Sequence, residues 1–183
     1  MAEDTESLIL AAALRVLESG GPGALTTRAV CEAAGVTAPT LYHHFGDKGG
    51  LASALVQRGL EEFMRRKQQP PAAADPLEQL RAGWDLAIDF ALKNPELHAL
   101  FVEHARSHPQ LLDGPYETMR ARVQRLVDMG RFRGPVDEAA RTVWAASNGA
   151  LSLLQLGASR KQVESVSRTL FDAVVRALSP PAT

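Results

Sequence analysis

The chain has 183 residues, with 20 Lys plus Arg against 21 Asp plus Glu, 45% hydrophobic and 22% charged residues, and a single cysteine. One cysteine excludes an intrachain disulfide framework and any multi-cysteine metal cluster. An acidic start (Met1-Ala2-Glu3-Asp4-Thr5-Glu6) and the lack of an apolar run near 20 residues argue against a signal peptide and a bilayer span, so a soluble, cytoplasmic chain with no membrane partner is expected. The length is ample for a core without staples, in one domain or a small domain fused to a larger one. Bulk charge does not advertise a nucleic-acid partner, because basic and acidic residues balance over residues 1–69 (7 against 8) and over residues 70–183 (13 against 13). Any such claim has to rest on placement.

Helical spacing dominates from the start. Leu8, Ile9, Ala12, Ala13, Val16 and Leu17 recur at i, i+3 and i+4, one face of an amphipathic helix. Ser19-Gly20-Gly21-Pro22-Gly23 stops it. Leu25-Thr26-Thr27 restarts the chain with a capping hydroxyl, and the short helix that follows ends at Gly35, where a sharp turn needs positive φ. Thr37 caps a third short helix with Pro39 in its first turn. A longer helix is expected over 48–69, with Leu51, Leu55, Val56, Leu60 and Phe63 as its stripe, and Pro70-Pro71-Ala72-Ala73-Ala74-Asp75-Pro76 reads as a linker. Leu77, Leu80, Trp84, Ile88 and Ala91 line the next helix. Asn94-Pro95-Glu96 reads as the start of another, with Asn94 as its cap. Pro109 and Gly114-Pro115 frame a loop before a helix over 116–129, and two long helices, 136–156 and 160–178, flank Gly157. No period-two strand pattern occurs. The expectation is an all-α chain of about nine helices.

Residues 25–50 read LTTRAVCEAAGVTAPTLYHHFGDKGG. Two short helices joined by a glycine turn make a helix-turn-helix, with Val30, Ala33, Val36 and Leu41 as its small core and Ala33 and Ala34 permitting close approach. The second helix, over 37–44, is short enough to lie in a major groove about 12 Å wide. Tyr42, His43, His44 and Lys48 have no packing reason to cluster.

The stretch resembles the DNA-binding motif of TetR-family transcriptional repressors. The residues that carry the resemblance are Thr26-Thr27-Arg28, Ala33-Ala34-Gly35-Val36, Pro39-Thr40-Leu41-Tyr42, His44-Phe45, Lys48 and Leu51. It is convincing over residues 8–55; beyond them the chain agrees in helix pattern and length. The resemblance implies a DNA-binding domain over 1–47 and a helical ligand-binding and dimerisation domain over 48–183. It further implies a homodimer whose recognition helices enter successive major grooves of a palindromic double-stranded operator, about 34 Å apart. By position, Thr27, Tyr42, His44 and Lys48 would grip phosphates, while Arg28, Thr37, Ala38, Pro39, Thr40 and His43 would face base edges or the groove floor. Three places depart from the family pattern. Ala38 offers only apolar contact, His43 replaces a more usual aromatic, and Gly49-Gly50 would soften the next helix by about 1 kcal/mol each. Cys31 reads as core, with a redox switch as the weaker alternative.

The resemblance also implies dimerisation through the last two helices, with one face formed by Val143, Ala146, Gly149, Ala150 and Leu153 and a second by Val163, Val166, Leu170, Val174 and Leu178. The alternative is that both stripes face their own subunit's core. Candidates for a pocket taking a small, mostly apolar effector are Trp84, Ile88, Leu100, Phe101, His104, Met119, Val123, Trp144, Asn148 and Leu151, residues that equally suit a filled core. Asn148 is the most suggestive, as a mid-helix amide that needs a partner if buried. His98, His104 and His108 do not read as a metal site, since His108 falls past a helix end. No cofactor is expected. The resulting reading is a ligand-responsive repressor released from its operator by effector. Two rivals are an α-helical enzyme, for which no catalytic constellation is present, and a helical module that uses its apolar faces on a foreign partner.

Overall fold

The computed structural model describes residues 4–68 and 75–181. Most of the expected linker, residues 70–74, and the expected helix end Gln69 lie outside the described residues. Nine α-helices follow in order, with no strand among the described residues. They are α1 (Thr5–Ala24), α2 (Thr27–Ala34), α3 (Ala38–Phe45), α4 (Lys48–Gln68), α5 (Pro76–Lys93), α6 (Pro95–Ser107), α7 (Asp113–Asp128), α8 (Val136–Gln155) and α9 (Arg160–Leu178), with a 3-10 turn (Pro109–Leu112) before α7. The chain is all-α.

Local chemistry sets most boundaries. Helix α1 breaks at Gly21 (φ 70°, ψ −175°), where the sequence stops the helix. Ser159 and Gln162 close a capping box at the start of α9. Asn94 takes the N-cap position of α6, but its side chain makes no capping bond. Gly114 and Pro115 do not frame a loop: they lie in the first turn of α7, where a missing proline N–H has no intrahelical partner to lose.

The chain divides into two compact units, one of residues up to Glu62 with Asn94–His108, the other of Phe63–Lys93 with residues from Pro109 onward. The boundary drawn at residue 47 follows the motif, whereas the first unit runs on through most of α4 and takes in α6. Close packing explains the extension: a Cβ on Gly59 of α4 would stand 2.7 Å from a Leu97 methyl of α6. Ile9, Leu10, Ala12, Ala13 and Leu17 are the buried face of α1. Leu8, expected inside, is 36% exposed, and Val16 is half-buried; Leu10 takes the inner place instead, a shift of helix phase within an apolar run.

In the second unit, α5, α7, α8 and α9 close around Leu80, Trp84, Ile88, Met119, Val123, Leu126, Val143 and Phe171. The indole of Trp84 donates to Ser167 Oγ at 2.7 Å and stands edge-on to Phe171 at 5.3 Å. Asp75 caps α5 by accepting from Leu77 N at 2.6 Å, and the Arg131 guanidinium, 2.7 Å away, holds its carboxyl below the usual range.

Candidate nucleic-acid interface

Thr26 opens α2, its side chain accepting from Ala29 N at 3.2 Å. Gly35 (φ 67°, ψ 30°) closes it, with Val36 N donating back to Cys31 O at 3.1 Å, the six-to-one bond of a Schellman turn. A side chain at Gly35 would strain this turn, which fixes the angle between α2 and α3. Thr37 then caps α3: its Oγ1 accepts from Thr40 N at 3.4 Å and lies 2.9 Å from Thr40 Oγ1. At eight residues, α3 is about 12 Å long.

The inner side of α3 is carried by Leu41, fully buried with Val30 of α2. Ala38 and Phe45, at i−3 and i+4 from Leu41, are half-buried beside it. The outer side presents Pro39, Tyr42, His43 and His44, all exposed, Tyr42 to 46%. The His43 and His44 rings stand edge-to-face at 5.5 Å. Thr37, Arg28 and Lys48 are also exposed, while Thr27 and Thr40 are half-buried. The expected residues thus lie on α2, the turn, α3 and the start of α4, exposed except for half-buried Thr27, Ala38 and Thr40. Cys31 and Val36 are half-buried. Ala33, expected in the small core, is exposed, because α2 turns it outward, and its carbonyl accepts from Arg15 Nη2 at 3.4 Å.

Two residues that support this surface escaped the sequence reading. Asp47 Oδ1 accepts from Gly50 N at 2.8 Å, capping α4 directly after Gly46 closes α3. The Asp-x-x spacing ahead of a helix could have revealed it. Gly50 is not a soft spot: a Cβ there would stand 1.9 Å from Phe45 O, so glycine is what lets α4 start hard against the end of α3. No sequence signal marks that approach. Ser53 ties α4 to α6, donating to Gly49 O at 2.9 Å and lying 2.9 Å from His104 Nε2. The His104 and His108 rings stack at 5.5 Å.

The residues expected around a ligand distribute differently. Trp84, Ile88, Met119, Val123 and Leu151 are buried in the core of the second unit. Trp144 packs at that core's margin, edge-on to Tyr116 at 5.5 Å. Leu100, Phe101 and His104 belong to α6, in the other unit. Asn148 is exposed rather than buried, its amide donating to Trp144 O at 2.9 Å, so the helix itself satisfies the group. The two expected dimer stripes also split. Val143, Ala150, Val163 and Val174 fill their own protomer's core, whereas Gly149 and Val166 are exposed. Along α8 the exposed positions Ala145, Gly149, Ser152 and Leu156 follow i, i+4, i+7, i+11, and along α9 Gln162, Val166, Thr169 and Ala173 do the same. Among the described residues no helix is long and apolar enough to cross a membrane.

A glycine turn, a capped eight-residue helix with an apolar inner side and an uncovered polar and aromatic outer side define a helix-turn-helix protein. The model for bacterial regulatory proteins of the tetR family matches residues 9–55, and that for the tetracyclin repressor-like C-terminal domain matches residues 80–178. The HTH-type transcriptional repressor AcnR of Corynebacterium efficiens is 30% identical over 173 residues, covering 86% of each chain. Two solved structures share the fold. A TetR-family regulator from Pectobacterium atrosepticum is 24% identical with a TM-score of 0.81, covering 98% of this chain and 96% of that one. The TetR-family regulator PfmR of Thermus thermophilus is 24% identical with a TM-score of 0.72, covering 92% and 97%. The chain belongs to the TetR family and is a DNA-binding transcriptional regulator.

Proposed function

We propose that this protein is a cytoplasmic repressor without catalytic activity, which holds a palindromic operator as a homodimer and releases it when a small, mostly apolar molecule binds its C-terminal helices. The observation that carries the reading is the uncovered outer side of α3, where Pro39, Tyr42, His43 and His44 stand exposed on a helix whose other side is locked by Leu41. In this reading Tyr42, His44, Lys48 and Thr27 hold phosphates, which sets register. Arg28, Thr37, Pro39, Thr40 and His43 read the groove, with Ala38 giving apolar contact at its margin. Repression is supported by the name of the corynebacterial relative, a repressor over the same span of chain.

Dimerisation through α8 and α9 is supported by their exposed faces. Gly149 has open space where a Cβ would stand, so packing within the protomer does not require glycine there. A second copy's helix approaching closely would. Effector binding would work on the packing around Trp84, Ile88, Met119, Val123 and Trp144, with Asn148 as a further contact. A ligand that favours a rearranged core shifts the population away from the DNA-holding state. A coupling of about 1–3 kcal/mol lowers operator affinity about 5–150-fold.

Fluorescence titration of a selected operator at two salt concentrations tests the assignment of roles. Tyr42→Ala is expected to weaken all duplexes alike, and Thr40→Ala to change the preferred sequence. Loss of neither affinity nor preference in both variants would remove α3 from the interface.

A further inference from the structure

Lys67 lies one turn beyond Phe63 on the inner side of α4, 5% exposed, and is the one charged residue fully buried among those described. Its Nζ donates to Pro115 O at 3.0 Å and sits 5.2 Å from the centre of the Phe63 ring. Among the described residues that is one hydrogen bond for a group with three donors. A second cation lies beside it: Arg122 Nη2 donates to Lys67 O at 2.7 Å. The guanidinium rests on Gly83, where a Cβ would stand 1.8 Å from Nη1, so α5 is bare where Arg122 crosses it. Among the described residues neither cation forms an ion pair with a carboxylate; their partners are a backbone carbonyl each and one ring. Burial and then Arg122 lower Lys67 to about 8. A methionine would fill the same space without the desolvation penalty, so a buried cation beside a half-buried one, with no acid between them, is a poor structural device. The pair is a good receptor for an anion.

We propose that Lys67 and Arg122 form the anion-recognising end of the effector site, so that the effector is a small organic acid with an apolar body and a single carboxylate or equivalent head. The inference rests on the effector reading above and names its ligand class. The acid supplies the missing counter-charge: its oxygens accept from Lys67 Nζ and the Arg122 guanidinium. Half-buried Arg122 gives access from solvent, and Phe63 with the neighbouring core meets the apolar body. Pairing with an anion restores the Lys67 ammonium, so binding at a pH just above 8 takes up a proton.

The test uses the full chain with octanoate and phenylacetate, each beside its uncharged amide, in thermal unfolding and in calorimetry with two buffers of different ionisation enthalpy. At least one carboxylate is expected to raise the melting midpoint by several degrees with proton uptake, its amide to leave the midpoint unmoved, and Lys67→Met to abolish the response. Without ligand, Lys67→Met is expected to melt at or above the parent temperature, and Arg122→Gln gives a second variant that leaves Lys67 in place but weakens the response. The proposal is overturned if acid and amide act alike, if neither acid shifts the midpoint, if Lys67→Met keeps the response, or if that variant melts well below the parent, the mark of a purely structural lysine. The two readings separate cleanly. An acid that binds through Lys67 yet leaves operator affinity unchanged keeps the anion site and removes the effector role. A neutral molecule that releases DNA without Lys67 does the reverse.

Discussion

Tyr42 and Lys67 illustrate how differently a single side chain can be used on one scaffold. Tyr42 is 46% exposed on α3. Removing the hydroxyl in Tyr42→Phe is expected to leave melting unchanged and to lower affinity for every duplex by about 0.5–1.5 kcal/mol, the usual net worth of a hydrogen bond. Anisotropy titration checks the affinity, and unfolding checks that nothing else moved. Lys67 is the opposite case, a cation held inside at a cost. Its value in the folded chain, about 8, lies below the unfolded 10.5. Between those values the unfolded chain binds the extra proton, so stability rises with pH through that window and the penalty is full below it. Lys67→Met is therefore expected to be at least as stable as the parent at neutral pH, with the difference shifting towards the parent as pH climbs from about 8 towards 10.5. Denaturant unfolding at a series of pH values measures it, and a gap constant with pH contradicts the assignment.

At the scale of the element, the junction between α3 and α4 decides how the outer side of α3 is presented. Gly49 and Gly50 look alike in the sequence, two helix-weakening residues in a row, yet they differ. Alanine at Gly50 would drive a methyl to 1.9 Å from Phe45 O, whereas at Gly49 the nearest atom is Asp47 Oδ1 at 3.1 Å. Gly50→Ala is expected to cost about 1–3 kcal/mol and to weaken DNA binding beyond its effect on folding, because α3 must move. Gly49→Ala is expected to be close to neutral, since about 1 kcal/mol of helix propensity offsets the crowding. Unfolding and operator titration on both variants separate the two. Caps and glycine turns are local, so Thr26, Gly35, Thr37 and the ends of α8 and α9 are legible from spacing. A close approach between two backbones is tertiary and leaves no pattern. Helix phase is the second limit. Where an apolar run covers more than one face, as around Leu8 and Leu10 or along Val143 to Leu153, spacing alone does not say which side turns in.

For the whole molecule, the exposed faces of α8 and α9 bear on assembly. Val166 is 38% exposed, and Gly149 borders open space. Val166→Asp and Gly149→Arg are expected to keep the helical content of the parent. Across a two-fold interface each repeats its own charge, so association should weaken by several kcal/mol. Light scattering would then report monomers, and operator affinity would fall with dimer content. Parent and variants alike eluting as dimers would move the interface elsewhere. The balanced charge of 20 basic against 21 acidic residues gives the chain little long-range attraction to DNA. Binding must come from a few placed groups, so it is expected to be sequence-specific with modest non-specific affinity. The most direct measurement is selection of duplexes from random DNA by the purified full chain, repeated with Tyr42→Ala. Enrichment of a palindrome whose half-sites lie about one helical turn apart, lost in the variant, is the expected result. Enrichment of nothing, or of the same sites by the variant, would contradict the claim that α3 reads an operator.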